Sequence, residues 1–250
     1  MHYIILDFEF NQDYNSEDNI NGKKPCCPFE IIQIGAVKLD QNLTITASFR
    51  RFVKPSIYNS ISGFITELTG ITTEQLRKEK TFDQLYPEFI AFLGGSDSIL
   101  CTWGLTDIKE LYRNAAYHHL DQTVLPRMYI NLQPYASLYL DYNPKQLLKL
   151  QFVVEELHIP MKYSFHDAYH DAVYTAEIMK QIYTSKMEPK IYDPSLPPKR
   201  PRLKKQIIDY DKLIRQFEKM YDRPMTSDEK QIIKLAYHMG KTKQFIKFNH

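Results

Sequence analysis

Two acidic residues, Asp7 and Glu9, lie two positions apart at the end of the first apolar run of the sequence. Side chains at positions i and i+2 of a β-strand project from the same face, so a strand here would place both carboxylates side by side. Two like charges on one face repel each other unless a cation neutralises them. Phe8 and Phe10 alternate with the acids. The pattern is therefore compatible with a shared metal site, although a D-x-E triplet is also expected by chance in a chain with this much charge.

Two further segments carry residue types that suit the same chemistry. Asp107 follows a predicted strand and begins a predicted helix, a position at which aspartate is also a common N-cap. His166 and Asp171 lie five residues apart where a later helix begins. A lone histidine is more often a surface residue or a hydrogen-bonded core residue than a catalytic one. Taken separately, each segment is compatible with a catalytic role and with a purely structural role.

The elements that must position these residues follow a regular order. Short apolar runs at residues 3–6, 31–37 and 47–53 predict three consecutive strands, and the turn residues 40–42 favour an antiparallel meander. Helical periodicity then predominates, with the capping-box pattern of Thr81 and Gln84 before one helix. Strands are predicted at 98–103 and 128–132, and helices at 64–68, 72–76, 107–118, 147–157 and 167–183. This order predicts an α/β fold in which βα units follow a β-meander.

Charge divides the chain into an acidic body and a basic tail. Residues 195–250 carry 14 Lys or Arg against 6 Asp or Glu, whereas residues 1–194 carry 18 against 24. Prolines and basic residues are concentrated at 189–205, which predicts a linker between a domain at 1–188 and a helical extension at 206–250. Two helices are expected in the extension, at 210–221 and 226–239. Such a tail suits contacts with phosphates, although many basic tails are only solvated.

Composition excludes several classes of protein. With 250 residues, 43% hydrophobic and 25% charged, the chain has enough apolar material for a core, so global disorder is not expected. No apolar run reaches about 18 residues, and Asp7 interrupts the first one too early for a signal peptide. The three cysteines include an adjacent pair, Cys26 and Cys27, and no C-x-x-C spacing, which favours free thiols over disulfides or a zinc site. We expect a cytoplasmic protein without a membrane partner.

The chain order Asp7-x-Glu9, Asp107, His166-x-x-x-x-Asp171 resembles the DEDDh 3′–5′ exonucleases of the ribonuclease-H-like superfamily. The resemblance extends from residue 3 to about residue 183. It implies that the four acids are metal-binding carboxylates and that His166 is the general base, so that these five residues form the catalytic set. It also implies two divalent cations as cofactors, Mg²⁺ or Mn²⁺, for which carboxylate oxygens are suitable ligands.

Residues 28–37, 68–72 and 103–107 are similar to one branch of this family, that of the "enhanced RNA interference" exoribonucleases and the sporulation inhibitor KapD. The tyrosine variant of the superfamily has Tyr four residues before its last Asp. Asp167 occupies that position here, which favours the histidine variant. Relatives often have Arg at that position, so Asp167 is expected to place an extra negative charge beside the base.

The fold implied by the resemblance is a ribonuclease-H-like exonuclease fold. It has a mixed five-stranded sheet, an antiparallel meander followed by βα units, flanked by helices and followed by the small helical extension. Substrate contacts are expected from Phe8, Phe10, Leu68, Gly70, Ile71, Thr72 and Trp103. Three structural alternatives remain open, namely that Gly70 is a helix C-cap, that Thr72 is a helix N-cap and that Trp103 packs in the core.

The resulting functional hypothesis is a metal-dependent 3′–5′ exonuclease that acts on single-stranded nucleic acid and releases nucleoside 5′-monophosphates. RNA is favoured over DNA as the substrate. One alternative is a regulatory or binding protein that acts through a partner, and the complete set of five catalytic residues argues against it. The other is a polymerase-associated proofreading DNA exonuclease, and an untethered chain of 250 residues with its own basic tail argues against it.

Overall fold

A computed structural model describes residues 2–12, 27–95, 97–196 and 209–241 of the chain. Residues 197–205 of the predicted linker and Cys26 lie outside the described residues. Cys101 is a buried free thiol, as predicted. In the part of the chain that the structure describes, no helix combines the length and the apolar character needed to cross a membrane. The cytoplasmic location stays a prediction.

A mixed sheet of six strands forms the centre of the fold. The strands are β1 (Tyr3–Asn11), β2 (Glu30–Leu39), β3 (Ile45–Phe52), β4 (Ile99–Thr102), β5 (Met128–Asn131) and β6 (Lys190–Ile191). Their spatial order is β3-β2-β1-β4-β5-β6. Strands β1, β2 and β3 pair antiparallel, whereas β4 is parallel to both β1 and β5. The predicted meander followed by βα units is therefore confirmed.

The sixth strand corrects the predicted count of five. Lys190 and Ile191 pair antiparallel with Tyr129 and Met128, so the sheet extends into the segment predicted as a linker. A strand of two residues is too short to show a side-chain period, so no pattern in the sequence predicts it. The division into residues 1–188, 189–205 and 206–250 otherwise stays a prediction.

Helices flank the sheet and follow it. They are α1 (Gly63–Thr69), α2 (Thr73–Leu76), α3 (Phe82–Leu93), α4 (Thr106–Tyr117), α5 (Gln133–Tyr139), α6 (Leu150–Glu156), α7 (Ala168–Ile182), α8 (Tyr210–Tyr221) and α9 (Ser227–Lys241). The predicted capping box of Thr81 and Gln84 is present before α3. The sequence did not predict α5, because Pro134 interrupts its pattern, yet proline is tolerated in a first helical turn. Helix α9 continues past Gly240, two residues beyond its predicted end.

The chain divides into two compact units, Met1–Leu196 and Pro197–His250. The first unit contains the sheet. The described part of the second contains α8 and α9, whose connection is held by an ion pair between Arg223 and Glu229 at 2.6 Å. Glu229 also accepts a hydrogen bond from the backbone N–H of Thr226, which completes the predicted capping box.

Strand β1 separates two hydrophobic cores. Ile4, Leu6 and Phe8 belong to a cluster that includes residues of α3 and α4. Ile5 belongs to a second cluster, which includes residues of α6 and α7. Because successive side chains of a strand point to opposite faces, the acidic residues of β1 continue the row of Ile5, on the face that α7 covers.

Helix α7 approaches β2 so closely that only glycine fits between them. A Cβ atom at Gly35 would lie 2.0 Å from the carbonyl carbon of Ala168 and 2.1 Å from the backbone nitrogen of Tyr169. These are backbone atoms at the start of α7, so they cannot move away as a flexible side chain would. The absence of a side chain at Gly35 therefore determines how near the first turn of α7 lies to the sheet.

We expect Gly35→Ala to lower the free energy of unfolding by about 3 kcal/mol, the upper end of the usual cost of overpacking, because the added methyl group must displace α7. Urea denaturation followed by circular dichroism measures the change. Gly63→Ala is the matched control, because a Cβ atom at Gly63 meets nothing within 4 Å. Equal stability of the Gly35 and Gly63 variants would show that α7 does not press on β2 at this point.

Candidate active site

Asp7 and Glu9 lie within β1, the strand between β2 and β4. The sequence pattern predicted that the strand would end at these acids, but β1 continues to Asn11 and pairs with β2 along its whole length. Both carboxylates are half-buried, and they share the face of the sheet that α7 covers. The predicted placement of the two acids on one face is thus what the strand geometry produces.

Asp107 reaches the same region from the neighbouring βα unit. Strand β4 runs parallel to β1, and α4 begins four residues after β4 ends. Asp107 lies in the first turn of α4 and is only 6% exposed. The N-cap position of α4 is Leu105, so Asp107 is not the helix cap. The first turn of α4 therefore carries a carboxylate close to Asp7, and its charge helps to raise the pKa of Asp7.

Asp171 and His166 complete the group from the start of α7. Asp171 lies in the first turn of α7 and is buried, and its Oδ2 accepts a hydrogen bond from the backbone N–H of His166 at 3.1 Å. His166 is exposed and has a φ of 64°, in the left-handed region. One potential ligand atom from each of Glu9, His166 and Asp171 lies within 4.8 Å of the other two.

The clustered carboxyl groups shift one another's proton affinities. Burial, followed by the charges of Asp107, Asp171 and Glu9, raises the pKa of Asp7 well above its ordinary value. Burial and the charges of Asp171 and Asp107 raise the pKa of Glu9 to about 8. Burial is also the main reason that the pKa of Asp107 and that of Asp171 are each raised to about 7. Electrostatic coupling thus joins all four predicted carboxylates.

The donor set of this cluster suits a hard divalent cation. Among the described residues, the Oδ1 atom of Asp171 is buried and has no hydrogen-bond partner, an arrangement that is costly for a carboxylate oxygen. A cation would satisfy that oxygen and offset the mutual repulsion that raises the pKa of Asp7. Carboxylate oxygens are the ligands that Mg²⁺ and Mn²⁺ prefer. The residues present therefore fit the predicted metal ions.

Asp167, which was expected to place an extra negative charge beside the base, is paired with other side chains. It is the N-cap of α7, and its carboxylate lies 2.8 Å from a guanidinium nitrogen of Arg50 and accepts a hydrogen bond from Gln33 at 2.9 Å. Burial opposes ionisation, but the bonds from Gln33 and from the N–H of His170, together with the charge of Arg50, hold the pKa of Asp167 below its ordinary value. Arg50 therefore balances the extra negative charge beside His166.

Sequence reasoning missed both Gln33 and Arg50. Gln33 lies in β2 and also accepts a hydrogen bond from the N–H of Ala168, so its amide group binds the start of α7 through two bonds. Arg50 lies in β3, 117 residues from Asp167 in the chain. No local pattern marks such a pair, because the pairing depends on α7 crossing the sheet above β2 and β3.

Gly70 and Thr72, which are both expected to contact the substrate, have the helix-capping roles that were the structural alternatives for them. Gly70 has a φ of 73° and is the C-cap of α1, and its N–H donates to the carbonyl of Thr66. Thr72 is the N-cap of α2, and its hydroxyl accepts from the N–H of Gln75 at 3.2 Å. Both capping alternatives are confirmed. Contact with a substrate stays a prediction for both residues.

The other predicted substrate residues differ widely in exposure. Leu68 is 41% exposed, whereas Ile71 is only 3% exposed and packs in a small cluster around Ile32. Phe8 is buried and Phe10 is half-buried, both packed in the core on the face opposite the carboxylates. The side chains of Ile71, Phe8 and Phe10 therefore contribute packing and offer little surface for stacking on a base.

Trp103 and Phe64 keep surface that a base could contact. Trp103 is half-buried, packs against the second core and donates its indole N–H to the carbonyl of Leu148 at 3.1 Å, so the core alternative holds for part of its ring. Phe64 was not predicted, although it is 62% exposed and lies one helical turn before Leu68. The spacing i, i+4 around buried Ile65 is the signal that could have identified it.

The sequence pattern of one protein family, described as Exonuclease (RNase_T), matches residues 4–179. A DNA polymerase III of the PolC type from Clostridium perfringens is 34% identical over 178 residues, which are 71% of this chain but 11% of the polymerase. The 3′–5′ exonuclease crn-4 of Caenorhabditis elegans is 27% identical over 196 residues, with coverage of 72% of this chain and 62% of the relative. The chain thus spans about a tenth of the polymerase and less than two thirds of the exonuclease.

Among solved structures, the fold is similar to the nuclease domain of 3′hExo, described as a DEDDh family member bound to rAMP. The TM-score is 0.63 at 26% sequence identity, and the match covers 77% of this chain and 96% of that domain. The match therefore covers nearly the whole of that nuclease domain and about three quarters of this chain.

Proposed function

This chain belongs to the exonuclease family, and from that premise we propose that it removes nucleotides from the 3′ end of single-stranded nucleic acid and releases nucleoside 5′-monophosphates. The observation that carries the proposal is the grouping of Glu9 and Asp171 with the imidazole of His166, with Asp7 and Asp107 near enough for their carboxyl groups to interact electrostatically with this pair. The fold family alone would not support a reaction, because one fold hosts many functions. The full set of acids and base at one place supports it.

The four carboxylates would hold two divalent cations, Mg²⁺ or Mn²⁺. When bound, the cations would supply the positive charge that activates water and neutralises the phosphate under attack. His166 is exposed at the edge of the cluster, and one of its ring nitrogens lies within 4.8 Å of carboxylate oxygens of Glu9 and Asp171. An imidazole in this position would accept the proton of the attacking water.

The surface beside the acids supports a single strand as the substrate. Asn11, two residues after Glu9, donates to the carbonyl of Ser60 and accepts from the N–H of Ser62, the N-cap of α1. Helix α1 is therefore tied to the strand of the acids, and it presents the exposed Phe64 and Leu68 on one face. Apolar and aromatic surface holds unpaired bases without sequence preference, because every base has a π-face.

We propose RNA as the favoured substrate over DNA. The support is the similarity to the 3′hExo domain, whose structure contains the ribonucleotide rAMP. The similarity to PolC-type DNA polymerases favours a second candidate, a proofreading exonuclease that acts on DNA. The chain retains all five residues of the predicted catalytic set, which argues against a purely regulatory role.

A nuclease assay on matched oligonucleotides tests the proposal. We expect 5′-labelled single-stranded RNA to be shortened stepwise from its 3′ end with Mg²⁺ or Mn²⁺, more rapidly than DNA of the same sequence, and not at all with EDTA. Faster removal of a mismatched 3′ nucleotide from a DNA primer would favour the proofreading candidate. No shortening of either strand with either metal would contradict the proposed function.

We also propose that the second unit assists nucleic-acid binding. Its support is the excess of 14 basic over 6 acidic residues at 195–250. The helical pair α8–α9, joined by the Arg223–Glu229 ion pair, would provide an ordered support for these charges. Phosphate contacts of this kind make binding weaker as salt concentration rises.

A further inference from the structure

His166 belongs to a segment that forms no helix or strand. Residues 157–167 connect α6 to α7 without a helix or a strand, and residues 161–164 are exposed. His166 itself has the left-handed backbone conformation that side chains with a Cβ atom rarely adopt. Local propensity therefore does not hold the imidazole in place. Tertiary contacts must do so, and they come from α7.

Tyr174 holds this segment through its hydroxyl group. Tyr174 lies in α7, three residues after Asp171, and is 2% exposed. Its hydroxyl accepts a hydrogen bond from the backbone N–H of Tyr163 at 2.8 Å and donates one to the carbonyl of the same residue at 2.7 Å. One side-chain oxygen thus satisfies both backbone groups of Tyr163, three residues before His166.

Ring contacts reinforce the attachment on both sides of this bond pair. The ring of Phe165, which directly precedes His166, stacks on the ring of Tyr174 with centroids 4.9 Å apart and an interplanar angle of 25°. The ring of Tyr163 stacks on that of His170 at 4.6 Å and 16°. With the bond from His166 N–H to Asp171, the segment contacts three residues in the first two turns of α7, namely His170, Asp171 and Tyr174.

We propose that Tyr174 is a positioning residue for His166, whose hydroxyl keeps the imidazole beside Glu9 and Asp171. This inference rests on the proposed function of His166 as the base. A tyrosine that served only to fill the core would need one partner for its hydroxyl. The two bonds of Tyr174 instead go to a single residue of the loop that carries the base, so they fix the distance between this loop and the helix of Asp171.

Tyr174→Phe tests the proposal, because it removes the hydroxyl and keeps the ring that stacks on Phe165. We expect kcat to fall by about 10- to 100-fold, the usual effect of losing a group that orients an active-site residue, with KM unchanged. Tyr86→Phe is the matched control. Tyr86 is also buried and donates its hydroxyl to a backbone carbonyl, that of Asp121 at 2.7 Å, but it packs in the other core.

A second readout does not depend on catalysis. We expect amide hydrogen exchange of Tyr163 and His166 in the metal-free protein to be faster in Tyr174→Phe than in wild type, and unchanged in Tyr86→Phe. Phe165→Leu, which removes the ring stack and leaves the hydroxyl, should lower kcat by a smaller factor. It also keeps the test available if Tyr174→Phe fails to fold.

The outcomes distinguish a failure of the proposed nuclease function from a failure of the positioning role of Tyr174. A wild-type protein without nuclease activity would contradict the proposed function, while the exchange experiment would still report whether Tyr174 holds the segment. Faster exchange with an unchanged kcat would overturn the positioning role. Equal losses of kcat in Tyr174→Phe and Tyr86→Phe would also overturn it, because the loss would then reflect general stability.

Discussion

Asp7→Asn and Asp171→Asn are each expected to abolish hydrolysis while the fold remains intact. Each substitution replaces a carboxylate oxygen of the cluster by an amide nitrogen, which cannot bind a cation. Asp171 carries the buried Oδ1 atom that lacks a hydrogen-bond partner, so its substitution removes the oxygen that most needs a cation. The nuclease assay with Mg²⁺ and with Mn²⁺ measures the loss. Full activity of either variant with both metals would contradict the site assignment.

Asp97→Asn serves as the control for these variants. Asp97 is an exposed aspartate in the turn before β4, whereas Asp107 follows the other end of that strand. The substitution Asp97→Asn changes the net charge of the protein by the same amount as the active-site substitutions. We expect its activity to equal that of wild type, because it removes no carboxylate from the cluster.

The active-site substitutions Asp7→Asn and Asp171→Asn should also stabilise the metal-free protein at high pH. The folded-state pKa of Asp171, about 7, and that of Glu9, about 8, lie above the values near 4 of unfolded carboxyls. The folded state therefore binds these protons more tightly, and its stability falls as pH rises from about 4 to about 8. Asp171→Asn removes one such group. Its Tm without metal at pH 8 should exceed that of wild type, whereas the Tm of Asp97→Asn should not.

His166→Ala is expected to lower kcat by about 100- to 10,000-fold, the usual contribution of a general base, with substrate binding largely retained. The backbone N–H that His166 donates to Asp171 is present in alanine too, so the substitution removes the imidazole and spares this bond. Steady-state kinetics on RNA give kcat and KM, and fluorescence anisotropy with a labelled strand gives the binding affinity.

His170→Ala is the comparison that tests the choice of histidine. His170 stacks on Tyr163, and its Nδ1 atom lies 3.7 Å from the carboxylate of Asp167, so its loss loosens the loop without removing the proposed base. We expect a mild decrease in kcat. A larger decrease in His170→Ala than in His166→Ala would show that the five-residue spacing to Asp171 identifies the wrong histidine.

Much of the site could be predicted from sequence because it depends on local geometry. The alternation of a strand places Asp7 and Glu9 on one face whatever the strand pairs with. The capping roles of Gly70 and Thr72 follow from backbone conformations that their residue types favour, and both are present. The order of strands and helices likewise follows from periodic patterns within short segments, and only the irregular or very short elements, α5 and β6, were missed.

Tertiary structure decided the features that join distant segments. Arg50 meets Asp167 only because β3 lies beside β2 under the start of α7, and Gly35 permits that approach. The burial of Ile71 likewise depends on a contact with Ile32, a residue of a different element. A local pattern determines which way a side chain points from its own helix or strand. Which surface it meets there depends on how the elements pack together, and no short stretch of sequence contains that information.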